Sequence, residues 1–292
     1  MRVSCRVLVV GLIVAAVCAA QDCDLGRIGN GIMKPLVRVS TRSASGSGVV
    51  VYSADREKSG EYQTFVLTNH HVVSDAIHVA RKWDSLRQRW IYSEQNDLVT
   101  VELFSYLREG RTVIGSPIKA TIVAHKDEED LALLKLDYPL QVPHVAELLP
   151  ADKPLRLADE VWAVGCSLGV DPLATYGRIT DLEEMIDHRP YVMASADIVY
   201  GNSGGGVFTE DSVAASGFYF IGVPSRIMVM RNGQALTHMG YFIAITRIRG
   251  WLGAQKLTFL LDTSVTPTQS FEERGRLQHV VEVQEDSPHS VE

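Results

Sequence analysis

The chain has 292 residues, of which 46% are hydrophobic and 22% charged, and its net charge is −7. This composition is typical of a globular protein and excludes fibrous and disordered classes. Binding of nucleic acid is not expected, because phosphate recognition needs a basic protein surface.

The first 20 residues have the pattern of a secretory signal peptide. Two arginines near the start are followed by an apolar run over Val7–Val17, and small residues up to Ala20 precede the polar Gln21. We therefore expect an exported protein, secreted or periplasmic, that begins near Gln21. The alternative is an uncleaved N-terminal anchor, although the apolar run is short for a full membrane span. Contact with a membrane is expected only in that case.

The four cysteines do not make a disulfide framework. Cleavage after Ala20 would leave Cys23 and Cys166, and a single bridge between them is one option in an oxidising compartment. His70 and His71 are adjacent, so they lack the spacing of a helical metal pair. No metal and no cofactor is expected.

Short apolar segments follow the signal, each about as long as a β-strand and most of them bounded by Gly, Ser, Asp or Pro. Many short strands at fairly regular spacing predict an all-β sandwich or barrel. A short helical turn is predicted within Val72–Ala80. The predicted strands are Leu36–Val39, Gly48–Tyr52, Thr64–Thr68, Leu98–Leu103, Leu131–Leu136, Glu160–Gly165, Tyr191–Ala194, Gly206–Phe208, Tyr219–Val223 and Tyr241–Ile245.

A proline-rich connection over 138–154 divides the chain, because proline does not fit a central strand. We expect a first half at about 35–140 and a second half at about 155–253. Residues 254–292 turn polar and acidic and are expected to be a tail. Residues 21–34 are expected to be an N-terminal arm, either a pro-segment or an element that supports oligomers.

Ser203 is the candidate nucleophile. It lies in Gly201-Asn202-Ser203-Gly204-Gly205, where the glycines allow tight turns and a close approach of substrate. Backbone N–H groups in such a turn can also be aimed at a developing oxyanion. On its own, however, a glycine-rich turn with a serine is common in any loop.

His71 and Asp130 are the candidates for a general base and the acid that orients it. His71 follows an apolar run that ends at Leu67, and Asp130 directly precedes Leu131–Leu136. Either residue alone would fit the end of a strand with no catalytic role. The chain order His, Asp, Ser is nevertheless one of the known triad orders, and a cleft between the two halves would unite the three side chains.

Four segments together resemble the trypsin-like peptidases of the Deg/HtrA type, and the resemblance extends from about Pro35 to Gly253. It implies two chymotrypsin-like, six-stranded β-barrels with the active site in the cleft between them. Gly206 replaces the usual proline after the serine motif, Cys166-Ser167 replaces a frequent Asn-Pro, and no PDZ module follows. The segments are Gly46-Ser47-Gly48-Val49-Val50, Thr68–Val73, Asp130–Leu134 and Gly201–Gly205.

The resemblance also implies a role for each site residue. Ser203 would attack the scissile carbonyl, His71 would take its proton, and Asp130 would hold the imidazole. The N–H groups of Gly201 and Ser203 would bind the oxyanion. The neighbouring His70 is the rival base, but the spacing of the family motif selects His71. Ser225 occupies the place of a residue that supports the triad aspartate.

Asp197, Ser225 and Arg226 are candidates for binding substrate, with Asp197 and Arg226 placed to meet the side chain before the scissile bond. A carboxylate at Asp197, six residues before Ser203, would favour Arg or Lys. The family usually takes small or medium aliphatic side chains instead. Arg226 would neutralise Asp197 or favour acidic residues, so the three preferences stay open. Protein or peptide substrates are expected, with a homo-oligomer as an option.

The expected function is that of a serine endopeptidase. A catalytically silent binding protein on the same fold is one alternative, although all three triad positions are filled. A serine esterase is another. The α/β-hydrolase fold of such enzymes requires Ser ahead of Asp and His in the chain, and it requires helices that the sequence lacks.

Overall fold

A computed structural model of the protein describes residues 25–86, 88–106 and 112–275. The predicted signal peptide, the start of the predicted arm and Cys23 therefore lie outside the described residues. Within these ranges β-strands dominate, as the pattern of short apolar segments predicts.

The first half of the chain forms a ring of strands. Its strands and those of an inserted hairpin are β1 (Leu36–Ser40), β2 (Ser45–Ala54), β3 (Gln63–Thr68), β4 (Ile77–Asp84), β5 (Arg89–Asn96), β6 (Val99–Tyr106), β7 (Thr112–Ile114), β8 (Ile118–Lys126) and β9 (Leu131–Leu136). Six of them pair antiparallel in the order β1-β2-β3-β9-β8-β6, and β6 pairs back with β1, which closes the ring. The short β7 pairs with β6 alone.

Strands β4 and β5 lie outside this ring and form a separate two-stranded hairpin. The predicted helical turn is only partly right. A helix α1 (His70–Val73) and a 3₁₀ turn (Ser74–Ala76) come first, and strand β4 already begins at Ile77.

The second half forms a closed barrel of six antiparallel strands. They are β10 (Glu160–Gly165), β11 (Leu173–Ile186), β12 (Arg189–Ala194), β13 (Gly206–Glu210), β14 (Phe218–Val229) and β15 (Ala235–Ala244). The order around the barrel is β10-β11-β12-β15-β14-β13. The architecture is thus the chymotrypsin-like double barrel that the resemblance predicted.

Alternating apolar residues of each ring point inward and are fully buried. In the first ring Val37, Val66 and Leu134 are 0–1% exposed, and in the second barrel Phe220 and Phe242 are 0% exposed. Burial of one such side chain stabilises the fold by about 1.5–3 kcal/mol. These cores make each barrel a firm support for the loops between them.

Two longer helices follow the second barrel. Helix α2 (Ile245–Ala254) buries Ile248, Trp251 and Leu252 on one face, the spacing expected of an amphipathic helix. Helix α3 covers residues 267–275. In the described part of the chain, no helix is long and apolar enough to cross a membrane.

The segment after α2 corrects the expectation of a solvated tail over 254–292. Leu257 and Phe259 are 0% and 1% exposed. The Phe259 ring lies 4.8 Å from that of Phe65 and 5.2 Å from that of Tyr52, both in the first barrel. Up to residue 275 the segment therefore packs as part of the fold, because it buries apolar side chains such as Leu257 and Phe259.

The described part of the N-terminal arm also packs, in this case against the second barrel. Helical turns cover Gly26–Ile28 and Gly29–Met33, and Ile32 is fully buried. A Cβ at Gly31 would come within 2.5 Å of the Phe218 ring, so only glycine fits at this contact.

Candidate active site

Ser203 lies in the loop between β12 and β13, and its shape depends on glycine. Gly201 and Gly204 have φ of +95° and +82°, a conformation that residues with a Cβ rarely adopt. A Cβ at Gly204 would lie 2.2 Å from the carbonyl oxygen of Ser47. The glycines that marked this segment in the sequence are therefore required by its turn and by its contact with the first barrel.

Backbone N–H groups around Ser203 differ in whether they find an acceptor. Those of Asn202 and Gly205 donate to carbonyl oxygens within the loop and just before it, and that of Gly204 donates to the Asn69 side chain. The N–H groups of Gly201 and Ser203 have no acceptor among the described residues. These two donors are the pair that the resemblance assigned to an oxyanion hole.

His71 and Asp130 are in direct contact in the first barrel. His71 Nδ1 lies 2.9 Å from Asp130 Oδ1 and 3.0 Å from Oδ2, and the His71 backbone N–H donates to Oδ1 at 3.1 Å. Helix α1 supplies His71, and Asp130 directly precedes β9 with a positive φ of +52°. Asp130 is buried, whereas the imidazole of His71 is about half exposed.

Ser225, on β14 of the second barrel, makes a further contact with Asp130. Its Oγ donates to Asp130 Oδ2 at 2.6 Å, as the resemblance predicted. Burial alone would raise the pKa of Asp130, but the hydrogen bond and charge of His71 and the hydrogen bond of Ser225 outweigh it. The pKa of Asp130 therefore lies below its ordinary value, and the carboxylate stays charged.

Sequence reasoning assigned no role to Asn69, which links the acid to the serine loop. Its Nδ2 donates to the carbonyl oxygen of Asp130 at 2.8 Å, and its Oδ1 accepts from the N–H of Gly204 at 2.6 Å. The side chain is fully buried. Its position two residues before His71 was the only sequence signal that could have suggested this role.

Ser47 holds the serine loop from the first barrel. Its N–H donates to the carbonyl oxygen of Ser203 at 2.8 Å, and its Oγ donates to that of Gly201 at 2.6 Å. The same Oγ accepts from the N–H of Cys166 at 2.7 Å. Ser47 of the Gly46-Ser47-Gly48 segment therefore connects the first barrel to the second by hydrogen bonds at the site.

No hydrogen bond joins Ser203 Oγ to the ring of His71 in the part of the chain that the structure describes. Such contacts are often loose in enzymes without substrate. The rival base, His70, is occupied elsewhere. Its Nδ1 lies 3.1 Å from Asp127, its ring stacks on His125, and burial lowers its pKa.

The three candidate substrate-binding residues, Asp197, Ser225 and Arg226, have different partners, and Ser225 is bonded to Asp130 as described above. Asp197 is exposed and accepts a hydrogen bond from Thr237 Oγ1 at 2.7 Å. Arg226 pairs instead with Asp187 at 2.7 Å and lies over the Tyr191 ring. The expectation that Arg226 neutralises Asp197 is therefore not met, because a nearer carboxylate holds its guanidinium.

Beside Asp197, the apolar Ile198 lies against β15. A Cβ at Gly240 would come within 2.6 Å of the Ile198 side chain, which is 2% exposed. The absence of a side chain at Gly240 thus makes room for the Ile198 side chain beside Asp197.

Cys166 is buried and unpaired among the described residues, and burial raises the pKa of its thiol to about 11. As a free thiol it is therefore protonated at neutral pH, and a bridge to Cys23 lies outside the described residues. Over the described ranges, no group of three or more His, Cys, Asp or Glu side chains is arranged to hold a metal ion.

Comparisons with known proteins agree with the double-barrel fold. The sequence profile of the trypsin-like peptidase domain matches residues 46–214. A Haemophilus influenzae protein described as "probable periplasmic serine protease do/HhoA-like" is 26% identical over 195 residues, which cover 65% of this chain and 32% of that protein. The chain thus spans about a third of the length of that curated relative.

A solved structure of the HtrA-type protease AlgW with a tripeptide superposes with a TM-score of 0.52 at 21% identity. The match covers 79% of this chain and 63% of that chain. At this level of identity the likeness supports the double-barrel fold.

Proposed function

Because the chain belongs to the trypsin-like peptidase family, we propose that it is a serine endopeptidase in which His71, Asp130 and Ser203 form the catalytic triad. One observation carries the proposal. Beside Ser203, the N–H groups of Gly201 and Ser203 lack acceptors among the described residues, while those of Asn202, Gly204 and Gly205 donate to acceptors. Two N–H donors without acceptors beside the nucleophile suit acyl transfer, because they can bind the oxyanion that forms in it.

In the proposed reaction, Ser203 Oγ attacks the carbonyl carbon of the scissile peptide bond, and its proton passes to His71 Nε2. The carbonyl oxygen becomes an oxyanion and accepts hydrogen bonds from the Gly201 and Ser203 N–H groups. The C–N bond then breaks, and His71 returns the proton to the leaving amine. Water, activated by His71, hydrolyses the acyl-enzyme and restores Ser203.

Asp130 would act through His71 rather than on the substrate. Its carboxylate accepts the Nδ1–H of His71, which fixes the tautomer in which Nε2 is the base. Its lowered pKa keeps the carboxylate charged, so the imidazolium that forms on His71 meets a negative charge that is already in place. Asn69 and Ser225 hold it in place from both barrels.

Labelling with a fluorophosphonate probe tests the proposal, since an activated serine displaces fluoride and remains covalently attached. We expect the wild-type protein to be labelled and Ser203→Ala to be unlabelled. Ser203→Ala should also retain less than about one-thousandth of the peptidase activity on an unfolded protein substrate. Ser212→Ala, at an exposed turn of the second barrel, is the matched control and should behave as wild type.

Three results would contradict the proposal. Equal labelling of wild type and Ser203→Ala would place the nucleophile elsewhere. A folded wild-type protein that is neither labelled nor active would support the silent binding protein. Hydrolysis of esters without cleavage of any protein substrate would support the esterase.

Export to the periplasm or secretion is part of the same proposal. It is supported by the signal pattern of the first 20 residues and by the periplasmic description of the Haemophilus influenzae relative. N-terminal sequencing of the exported protein should find a start near Gln21. An intact Met1 in the membrane fraction would favour the anchor instead.

A further inference from the structure

The β4–β5 hairpin exposes an aromatic tip. Trp83 and Trp90 oppose each other across the two strands with ring centroids 5.5 Å apart in an edge-to-face arrangement, and they are 46% and 53% exposed. Leu86, in the turn between the strands, is 93% exposed. Side chains of this kind are usually buried, so their grouping at one tip marks an interaction site.

The same tip is basic on an acidic protein. Positions 81–90 hold four basic residues and one acidic residue, whereas the whole chain has a net charge of −7. The guanidinium of Arg81 lies 4.7 Å above the Trp90 ring, so cation and aromatic surface are presented together. The tip therefore matches a partner that is both negatively charged and able to accept apolar side chains.

Contacts near its base join the hairpin to the first barrel. Glu94 lies 3.0 Å from His125 of β8, and the N–H of Asp97 donates to the carbonyl oxygen of Ala76. On the face that carries the two tryptophans, Val79 and Tyr92 are 60% and 75% exposed. Except at the base, where Ile77 and Glu94 contact the first barrel, the described residues of both barrels leave this face uncovered.

We propose that the hairpin tip docks the protein on an anionic membrane surface. A convex tip of two strands has no groove, and its few side chains fall short of the roughly 800 Å² that a stable protein interface buries on each partner. Insertion at a lipid interface needs only a few such groups. Tryptophan and leucine suit the boundary between headgroups and acyl chains, and Arg and Lys suit anionic headgroups. Such docking is reversible and does not need the uncleaved signal on which membrane contact was first expected to depend.

Sedimentation with lipid vesicles tests the inference on the mature full-length protein. We expect it to bind vesicles of phosphatidylcholine that contain phosphatidylglycerol and to bind pure phosphatidylcholine vesicles much more weakly. Its tryptophan fluorescence should shift to shorter wavelength on binding. Lys82→Glu and Arg89→Glu should each weaken binding at least about fivefold, the effect of one basic residue near an anionic surface.

Leu86→Asp should weaken vesicle binding at least about tenfold, because it replaces an inserted side chain with a repelled charge. The turn position leaves the fold intact, which an unchanged thermal midpoint will verify. Leu157→Asp makes the same change at a leucine that is 61% exposed before β10, and it should bind as wild type. Equal binding of both variants would overturn the proposal, as would a tip-dependent self-association or oligonucleotide binding without vesicle binding.

Discussion

Asn69 and Gly204 are hydrogen-bonded across the two barrels, with Asn69 Oδ1 2.6 Å from the Gly204 nitrogen although 135 positions separate the two residues in the chain. Through its Nδ2, the same side chain also holds the backbone of Asp130. The buried amide of Asn69 therefore fixes the distance between Gly204, which follows the nucleophile, and Asp130, which orients the base.

Replacement of Asn69 by Ala should lower kcat more than it changes KM, because it disturbs the relation of Ser203 to His71 rather than the binding of substrate. It removes two buried hydrogen bonds and leaves the Gly204 N–H with the carbonyl oxygen of Pro224, at 3.2 Å, as its remaining acceptor. The free energy of unfolding should therefore fall by about 1–3 kcal/mol. Steady-state kinetics and urea unfolding check both effects. Asn232→Ala, at an exposed turn, is the control, and a wild-type kcat in Asn69→Ala would rule out the positioning role.

Ser225→Ala should destabilise the protein at neutral pH by about 1.5–3 kcal/mol, the usual contribution of a hydrogen bond to a charged group. The folded-state pKa of Asp130 is lowered, so its contribution is present above the ordinary aspartate pKa of about 3.9 and is lost as the pH falls through the folded-state value. The difference between variant and wild type should therefore be largest near pH 7 and shrink below about pH 4. Urea unfolding across this range measures it, and a difference that does not depend on pH would contradict the assignment.

Substrates with Val before the scissile bond should be cleaved faster than those with Arg. Ile198 lies against Gly240 as an apolar wall, whereas the carboxylate of Asp197 is exposed and accepts a hydrogen bond from Thr237. Asp197→Ser should leave the ratio of kcat/KM values for matched Val, Arg and Glu peptides unchanged, and Ile198→Ala should reduce the preference for Val. A wild-type preference for Arg that Asp197→Ser abolishes would instead identify a basic pocket.

Removal of all residues after Gln255 should unfold the first barrel or destabilise it strongly. The deletion exposes Phe65 and Tyr52, on which Phe259 packs, and loss of one buried aromatic ring alone costs about 3–5 kcal/mol. Phe259→Ala should reproduce much of this loss in thermal unfolding. A chain that ends at Gly275 keeps every contact described above and serves as the control. Wild-type stability of the chain that ends at Gln255 would contradict a structural role for residues 256–275.

The sequence predicted buried strands well and the inserted hairpin poorly. Tyr191–Ala194 and Leu131–Leu136 were predicted from continuous apolar runs, and both lie in barrel strands. Val72 and Ala76, just before the hairpin, and Ala80 within it are spaced like one face of a helix, and this spacing masked the start of β4 at Ile77. Because the hairpin is solvated on the face of its tryptophans, burial did not impose the clean alternation that identifies a strand.

The site was predictable to the extent that its chemistry lies in local motifs. The contact of His71 with Asp130 followed from two motifs and their order in the chain. The bridge through Asn69 did not, because its partners are 61 and 135 residues away and an amide beside a histidine has no distinctive pattern. The pairing of Arg226 with Asp187 was missed for the same reason, since a fold and not a spacing brings them together.

The hydrogen bonds of Ser47 make the shape of the serine loop depend on the contact between the two barrels. Two of its hydrogen bonds, of 2.6 and 2.8 Å, cross from one barrel to the other. A separation of the barrels by about 1 Å would take them beyond hydrogen-bond range. The position of Ser203 therefore depends on the contact between the barrels, and a slight parting of the two halves would be enough to loosen the loop that carries it.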